Sequence, residues 1–168
     1  QEKFAESAQA FDQVIGVYSL VSDYGSQFLR FGENGPESVF EIQYTNQSNW
    51  YDWGCAHCSE GNYAIIMNGP RGWSGPEYAQ GWSFNVPTAE FYNSFEEGDT
   101  RRDATILDIE AFAAATGANY TEGYDHTGYF NNKYIPRAGE SGGQTELNYL
   151  TNFRIIRYSD VLLMAAEA

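Results

Sequence analysis

The chain has 168 residues, 42% of them hydrophobic, which suits one domain with a real core and excludes a wholly disordered polymer. Its 23 acidic residues against 9 basic ones give a net charge of −14, which argues against nucleic acid and anionic lipid, since both need clustered Lys and Arg. No stretch is long and apolar enough to span a bilayer as a helix, and the 17% of Phe, Trp and Tyr points to amphipathic rings on wet binding surfaces.

Phe4, Ala8, Phe11, Val14 and Ile15 recur at helical spacing and predict an amphipathic helix over residues 2–15, stopped by Gly16. Residues 1–6 are therefore expected to open a helix and not a signal peptide, which in a secreted protein would lie upstream. Residues 17–24 read as a connector. Gly35-Pro36 marks a turn, after which Phe40, Ile42 and Tyr44 alternate with Glu41 and Gln43 as in a half-buried strand. Residues 45–83 are broken repeatedly by Gly and Pro, with Tyr63 to Met67 as their one short apolar run. Thr88 is a helix N-cap after Pro87, with Glu90 in the first turn, and this helix carries Phe91, Tyr92 and Phe95 before ending near Gly98. A charged corner, Asp99 to Asp103, follows. Thr105 to Ile109 suits a strand, and Ile109 to Thr116 equally suits a short helix. Residues 117–149 are again rich in Gly, Asn and Tyr. Phe153 to Ile156 is extended and apolar, and it runs into the helix-former run Val161 to Ala168. No Gly, Asn or Pro follows that run, so the chain is expected to be a piece of a longer protein.

The strongest binding cluster is Trp50-Tyr51-Asp52-Trp53, with Asn49 just before it and Trp73 in the same irregular stretch. Flat rings for C–H faces beside amides and carboxylates for paired hydroxyls form the mixture that sugars require. The competing role for such rings is a loop core, but adjacent residues rarely all point inward. Cys55-Ala-His57-Cys58 is open to several readings: a redox pair, half of a zinc site, a local disulfide or two free thiols. A closed zinc site lacks ligands, because His126 is the only other His and no second Cys pair exists. A local disulfide or two free thiols is preferred, and neither a metal nor a cofactor is expected. Asp99, Arg101, Arg102 and Asp103 read as a solvated ion-pair corner rather than as acid/base machinery. There is no serine elbow, phosphate loop or triad, so no catalytic residue is assigned.

Three blocks carry a family resemblance. Arg157-Tyr-Ser-Asp-Val-Leu-Leu-Met-Ala-Ala-Glu-Ala168 resembles a signature of the SusD/RagB family of surface nutrient-binding lipoproteins. Gly81-Trp82, Pro87-Thr88, Phe95, Asp99 and Arg101 follow in that family's order, and Glu37-Ser-Val-Phe-Glu-Ile42 resembles one of its strands. Lys133-Tyr134-Ile135 resembles the segment before its final helices. The resemblance implies a mainly α, tetratricopeptide-related fold with long irregular loops and a few short strands. It implies residues 1–24 as the end of a helical-repeat part, 37–151 as a loop-rich ligand-binding excursion and 152–168 as the start of a C-terminal helical region. Trp82 is then structural, and Phe4 and Phe11 lack part of their usual cover. The implied protein is a non-enzymatic, surface-exposed outer-membrane lipoprotein, anchored only by lipid attached upstream. It captures glycan for a SusC-like TonB-dependent transporter.

Two other functional classes fit the residues. One is a secreted glycoside hydrolase using paired carboxylates; the other is a helical protein-interaction module. Leu162, Leu163 and Met164 also need cover, which is expected from a second copy or from the helix at 2–15.

Overall fold

A computed structural model describes residues 3–47, 53–141 and 147–168, including their side chains except those of Trp53, Ala56 and His57. The chain divides into two compact units, residues 1–43 with 152–168 and residues 44–151. Strand β1 (Ser38–Ile42) thus belongs with the terminal segments and not with the intervening excursion.

In the first unit, helix α1 (Phe4–Asp12) is shorter than the periodicity suggests, and its turns run on to Gly16 at φ 88°. β1 pairs antiparallel with β6 (Phe153–Arg157), setting Glu41 opposite Arg154 and Ile42 opposite Phe153. Helix α6 (Tyr158–Glu167) starts where β6 ends. The Asp160 carboxylate accepts from the Arg157 backbone N–H at 2.9 Å, a cap at the point where the strand stops and the helix starts. Helix α1 packs against α6, and Gly16 N–H donates to the Tyr158 hydroxyl at 2.9 Å. This packing does not supply the expected cover: Leu163 is 72% exposed and Met164 41%. Phe4 is likewise exposed, and Phe11 is only half-buried.

The β1–β6 ribbon corrects the alternation read from the sequence. Its apolar face, Phe40, Ile42, Phe153 and Ile155, is exposed, with Phe40 at 54%. Its polar face is buried, because the turns at Ser26–Phe28 and Arg30–Gly32 lie on the side of Glu41 and Arg154. Arg154 Nη1 donates to the Asn152 carbonyl at 2.7 Å and Nη2 to the Leu29 carbonyl at 3.2 Å. Its guanidinium also lies 3.6 Å from the Glu41 carboxylate and 4.0 Å from that of Glu33. Asn152 Nδ2 and Asn34 N–H donate to Glu41. Such a buried cluster is tolerated because each charge keeps a partner.

In the second unit the elements are short. They are α2 (Ala64–Asn68), β2 (Arg71–Ser74), α3 (Ala89–Asn93), α4 (Arg101–Thr105), β3 (Ile106–Asp108), α5 (Ile109–Thr116), β4 (Asn119–Thr121) and β5 (Tyr129–Asn131). Both alternatives for residues 105–116 occur in succession, because Asp108 ends a strand and caps a helix, its Oδ1 accepting from Ala111 N–H at 2.9 Å. Thr88 caps α3 as expected, its Oγ1 accepting from Phe91 N–H at 3.2 Å. β2 pairs with β4 and β3 with β5, both antiparallel. One core cluster gathers Tyr78, Leu107, Ile109, Phe130 and Ile135; another gathers Ile65, Ile66 and Tyr149.

Candidate functional site

The surface feature that best suits a ligand is a groove of about 370 Å³ in the second unit, lined by Arg71, Trp82, Ser83, Phe84, Glu122 and Tyr124 among others. It is built by two loops held on a rigid base. Four backbone N–H groups, those of Gly81, Trp82, Ser83 and Phe84, donate at 2.8–2.9 Å to the carbonyls of Pro70, Ile66, Gly69 and Met67. These carbonyls belong to the end of α2 and the residues just beyond it, where a helix otherwise leaves acceptors unfilled. The approach is so close that a Cβ on Gly81 would collide with the Gly69 backbone. The family resemblance implies a structural role for Gly81-Trp82, and this close approach gives that role a physical content.

The second loop follows β4, whose Thr121 pairs with Arg71. Gly123 presses against Ser83, and a Cβ on Gly123 would sit 2.8 Å from the Ser83 Cβ. Phe84 and Tyr124, each next in the chain to that contact, are displayed on the groove: Tyr124 is 92% exposed and Phe84 50%. Phe84 lies between two non-glycine residues in the left-handed region, Ser83 at φ 58° and Asn85 at φ 52°. Such conformations cost about 1–3 kcal/mol each and persist only where the surroundings enforce them, often at binding sites. Beside the Phe84 ring, Arg71 is fixed by its Nε donating to the Trp82 carbonyl at 2.6 Å, with its guanidinium 5.5 Å from the ring centre. Trp82 meets Phe84 edge-on at 6.3 Å and its other side packs on the Ile65–Tyr149 core.

The arrangement offers two apolar ring faces, a guanidinium, a carboxylate and hydroxyls along an open groove. That chemistry matches a sugar, with C–H faces against rings and hydroxyls against fixed polar groups. The best-defined carboxylate perturbation in the unit is at Asp99, pushed down to about 2 by hydrogen bonds from the Arg101 side chain and backbone. Such a group stays ionised at neutral pH. The Arg101–Asp99 and Arg102–Asp103 pairs form the solvated corner that the sequence suggests. No three His, Cys, Asp or Glu side chains among the described residues gather as a metal site.

The ring cluster singled out in the sequence falls largely outside the description. Asn49, Trp50, Tyr51 and Asp52 lie outside the described residues, and Trp53 opens a stretch of tight turns, Trp53–Cys58, kinked at Cys55, with its side chain likewise outside the description. Within that stretch a disulfide joins Cys55 and Cys58. Trp73 does not join the groove. It is half-buried on β2, its ring 5.9 Å from both Tyr78 and Phe112 at the edge of the first core cluster. Arg71, Phe84 and Tyr124 were missed as site residues. A faint sequence signal existed for Tyr124: a lone ring inside Glu122-Gly-Tyr-Asp125, a turn with no apolar periodicity to bury it.

The model of the SusD family matches residues 36–168. SusD-like protein P2 of Formosa agariphila is 28% identical over 140 residues, covering 79% of this chain and 26% of its own length. Among solved structures, surface glycan-binding protein A from Bacteroides thetaiotaomicron, in complex with laminarihexaose, superposes with a TM-score of 0.89 at 32% identity, over 98% of this chain and 38% of that one. A laminarin-binding SusD-like protein gives 0.84 at 36% identity, over 98% of this chain and 39% of its own. The chain therefore spans well under half the length of the relatives it matches.

Proposed function

The chain belongs to the SusD family, and from that premise we propose that it binds oligosaccharide or polysaccharide of the laminarin type through the Phe84–Tyr124 groove. The observation that carries this reading is the pair of exposed rings that line one groove with Arg71 and Glu122, Phe84 being held between two residues in the left-handed region. The ligands named for the two solved relatives, laminarihexaose and laminarin, support the choice of glycan. Asn49 to Trp53 supply further contacts with the same ligand, as their composition suggests. The protein acts without covalent chemistry. It sits on the outer membrane through a lipid anchor attached upstream and passes glycan to a SusC-like TonB-dependent transporter. Tetratricopeptide-related helices of the longer protein cover the apolar face of Phe40, Ile42, Phe153 and Ile155.

Affinity electrophoresis in laminarin-containing gels, with reducing-end analysis of the same mixture, tests the reading. The expected result is retardation with no new reducing ends, weakened roughly five- to tenfold by Phe84→Ala or Tyr124→Ala, about 1–1.4 kcal/mol per ring. Turnover of the polysaccharide would instead favour a hydrolase. Unchanged retardation of both variants would remove this groove from the site.

A further inference from the structure

A second groove, of about 270 Å³, opens beyond the loop that displays Phe84. Asn85, next in the chain to Phe84, lines it together with Pro87, Phe91, Thr105, Asn131 and Lys133. Its groups are held as firmly as those of the first groove. Phe91 projects from a capped helix, 46% exposed, with its ring 5.4 Å from Phe95. Pro87 is tied down where its carbonyl accepts from the Thr127 hydroxyl at 2.7 Å. Asn131 Oδ1 accepts from the backbone N–H groups of Lys133 at 3.0 Å and Tyr134 at 3.3 Å, which orients the amide and leaves its NH2 as the donor. Asn85 Nδ2 donates to Asn68 Oδ1 at 3.2 Å, which leaves its carbonyl oxygen as the acceptor. The groove thus offers an acceptor, an amide donor, a hydroxyl and one ring face, with Lys133 also in its lining.

We propose that this groove is a second sugar subsite, and that one glycan chain crosses the Phe84–Pro87 segment to occupy both grooves. The inference rests on the glycan reading of the first groove. Both volumes lie near the low end of the roughly 300–1,000 Å³ range of ligand pockets, so each suits one or two sugar residues. A chain long enough to reach the second groove enters it at a high effective concentration once the first is filled. The ligand class is therefore a polymer or a long oligosaccharide, and short ones are poor ligands.

Isothermal titration with laminaritriose and laminarihexaose tests this on the wild type, Phe91→Ala and Lys133→Ala, with circular dichroism of each variant to verify the fold. The expected wild-type result is at least tenfold tighter binding of the hexaose. Phe91→Ala loses most of that increment, Lys133→Ala loses part of it, and the triose affinity stays within twofold in both. Equal affinity of the wild type for the two oligosaccharides overturns the subsite, as does a hexaose affinity unchanged in both folded variants. Failure of the wild type to bind either oligosaccharide sinks the glycan reading itself, a distinct result.

Discussion

Replacing Arg154 by Met tests the claim that the first unit is organised around a buried charge and not around an apolar ribbon face. The Arg154 side chain is 2% exposed and sits 3.6 Å from the equally buried Glu41 carboxylate, with Glu33 at 4.0 Å. At an effective dielectric constant of about 20, unit charges about 4 Å apart attract by about 4 kcal/mol, part of which offsets desolvation of the pair. Met fills similar volume but leaves Glu41 buried without its cation, and leaves the Leu29 and Asn152 carbonyls without the donors they have now. Breaking one partner of a buried pair costs roughly 3–5 kcal/mol. Glu41 keeps donors from Asn34 and Asn152, so the expectation is the lower end, about 3 kcal/mol at pH 7. Urea unfolding of the wild type, Arg154→Met, Glu41→Gln and the double variant measures it, and the cycle isolates the pair. The double variant is expected to recover at least about 1 kcal/mol relative to additivity. A loss under about 1 kcal/mol in Arg154→Met, or strict additivity in the cycle, would refute the reasoning.

Burial pushes the Glu33 carboxyl above its usual value, against the lowering pulls of the Asn152 N–H and of Arg154. A carboxyl raised in the fold favours its neutral form, so its contribution is complete below the unfolded value and is lost as pH rises through the folded one. Glu33→Gln should therefore flatten the fall of melting temperature as pH rises above the ordinary glutamate value of about 4.5; parallel slopes in the two proteins would count against it. Gly81→Ala should lose about 3 kcal/mol or fail to accumulate as soluble protein, because the added Cβ meets Gly69 backbone that cannot repack; an unchanged melting temperature would contradict this. Asp108→Ala should cost about 1 kcal/mol in the same assay while Asp108→Asn costs little, since Asn also caps; equal losses would argue that charge, not the cap, matters.

Much of the local structure was legible in the sequence because it depends on neighbours along the chain. Thr88 caps a helix as its context indicates. The extended run and helix at Phe153–Glu167 lie where the residues put them, and the three blocks read in order are matched by one family model over residues 36–168. Helix α3 ends five residues before Gly98, because Ser94 Oγ and N–H turn back to the Phe91 carbonyl and close it early. The groove was less legible. Ring density pointed to a surface rich in rings, but nothing local distinguishes Trp73, packed on Tyr78 and Phe112, from Tyr124, which is bare.

By itself, then, the sequence determined the family, the cap-and-turn grammar and the presence of sugar-compatible rings, since each follows from residue types at fixed spacing. Tertiary structure decided the rest. An alternating strand states that its two faces differ, but which is buried depends on what packs against it, and in β1 the turns at 26–32 cover Glu41 and leave Phe40 and Ile42 outside. The display of Phe84 and Tyr124 likewise depends on Gly123 meeting Ser83, a contact between residues forty apart that no local pattern encodes.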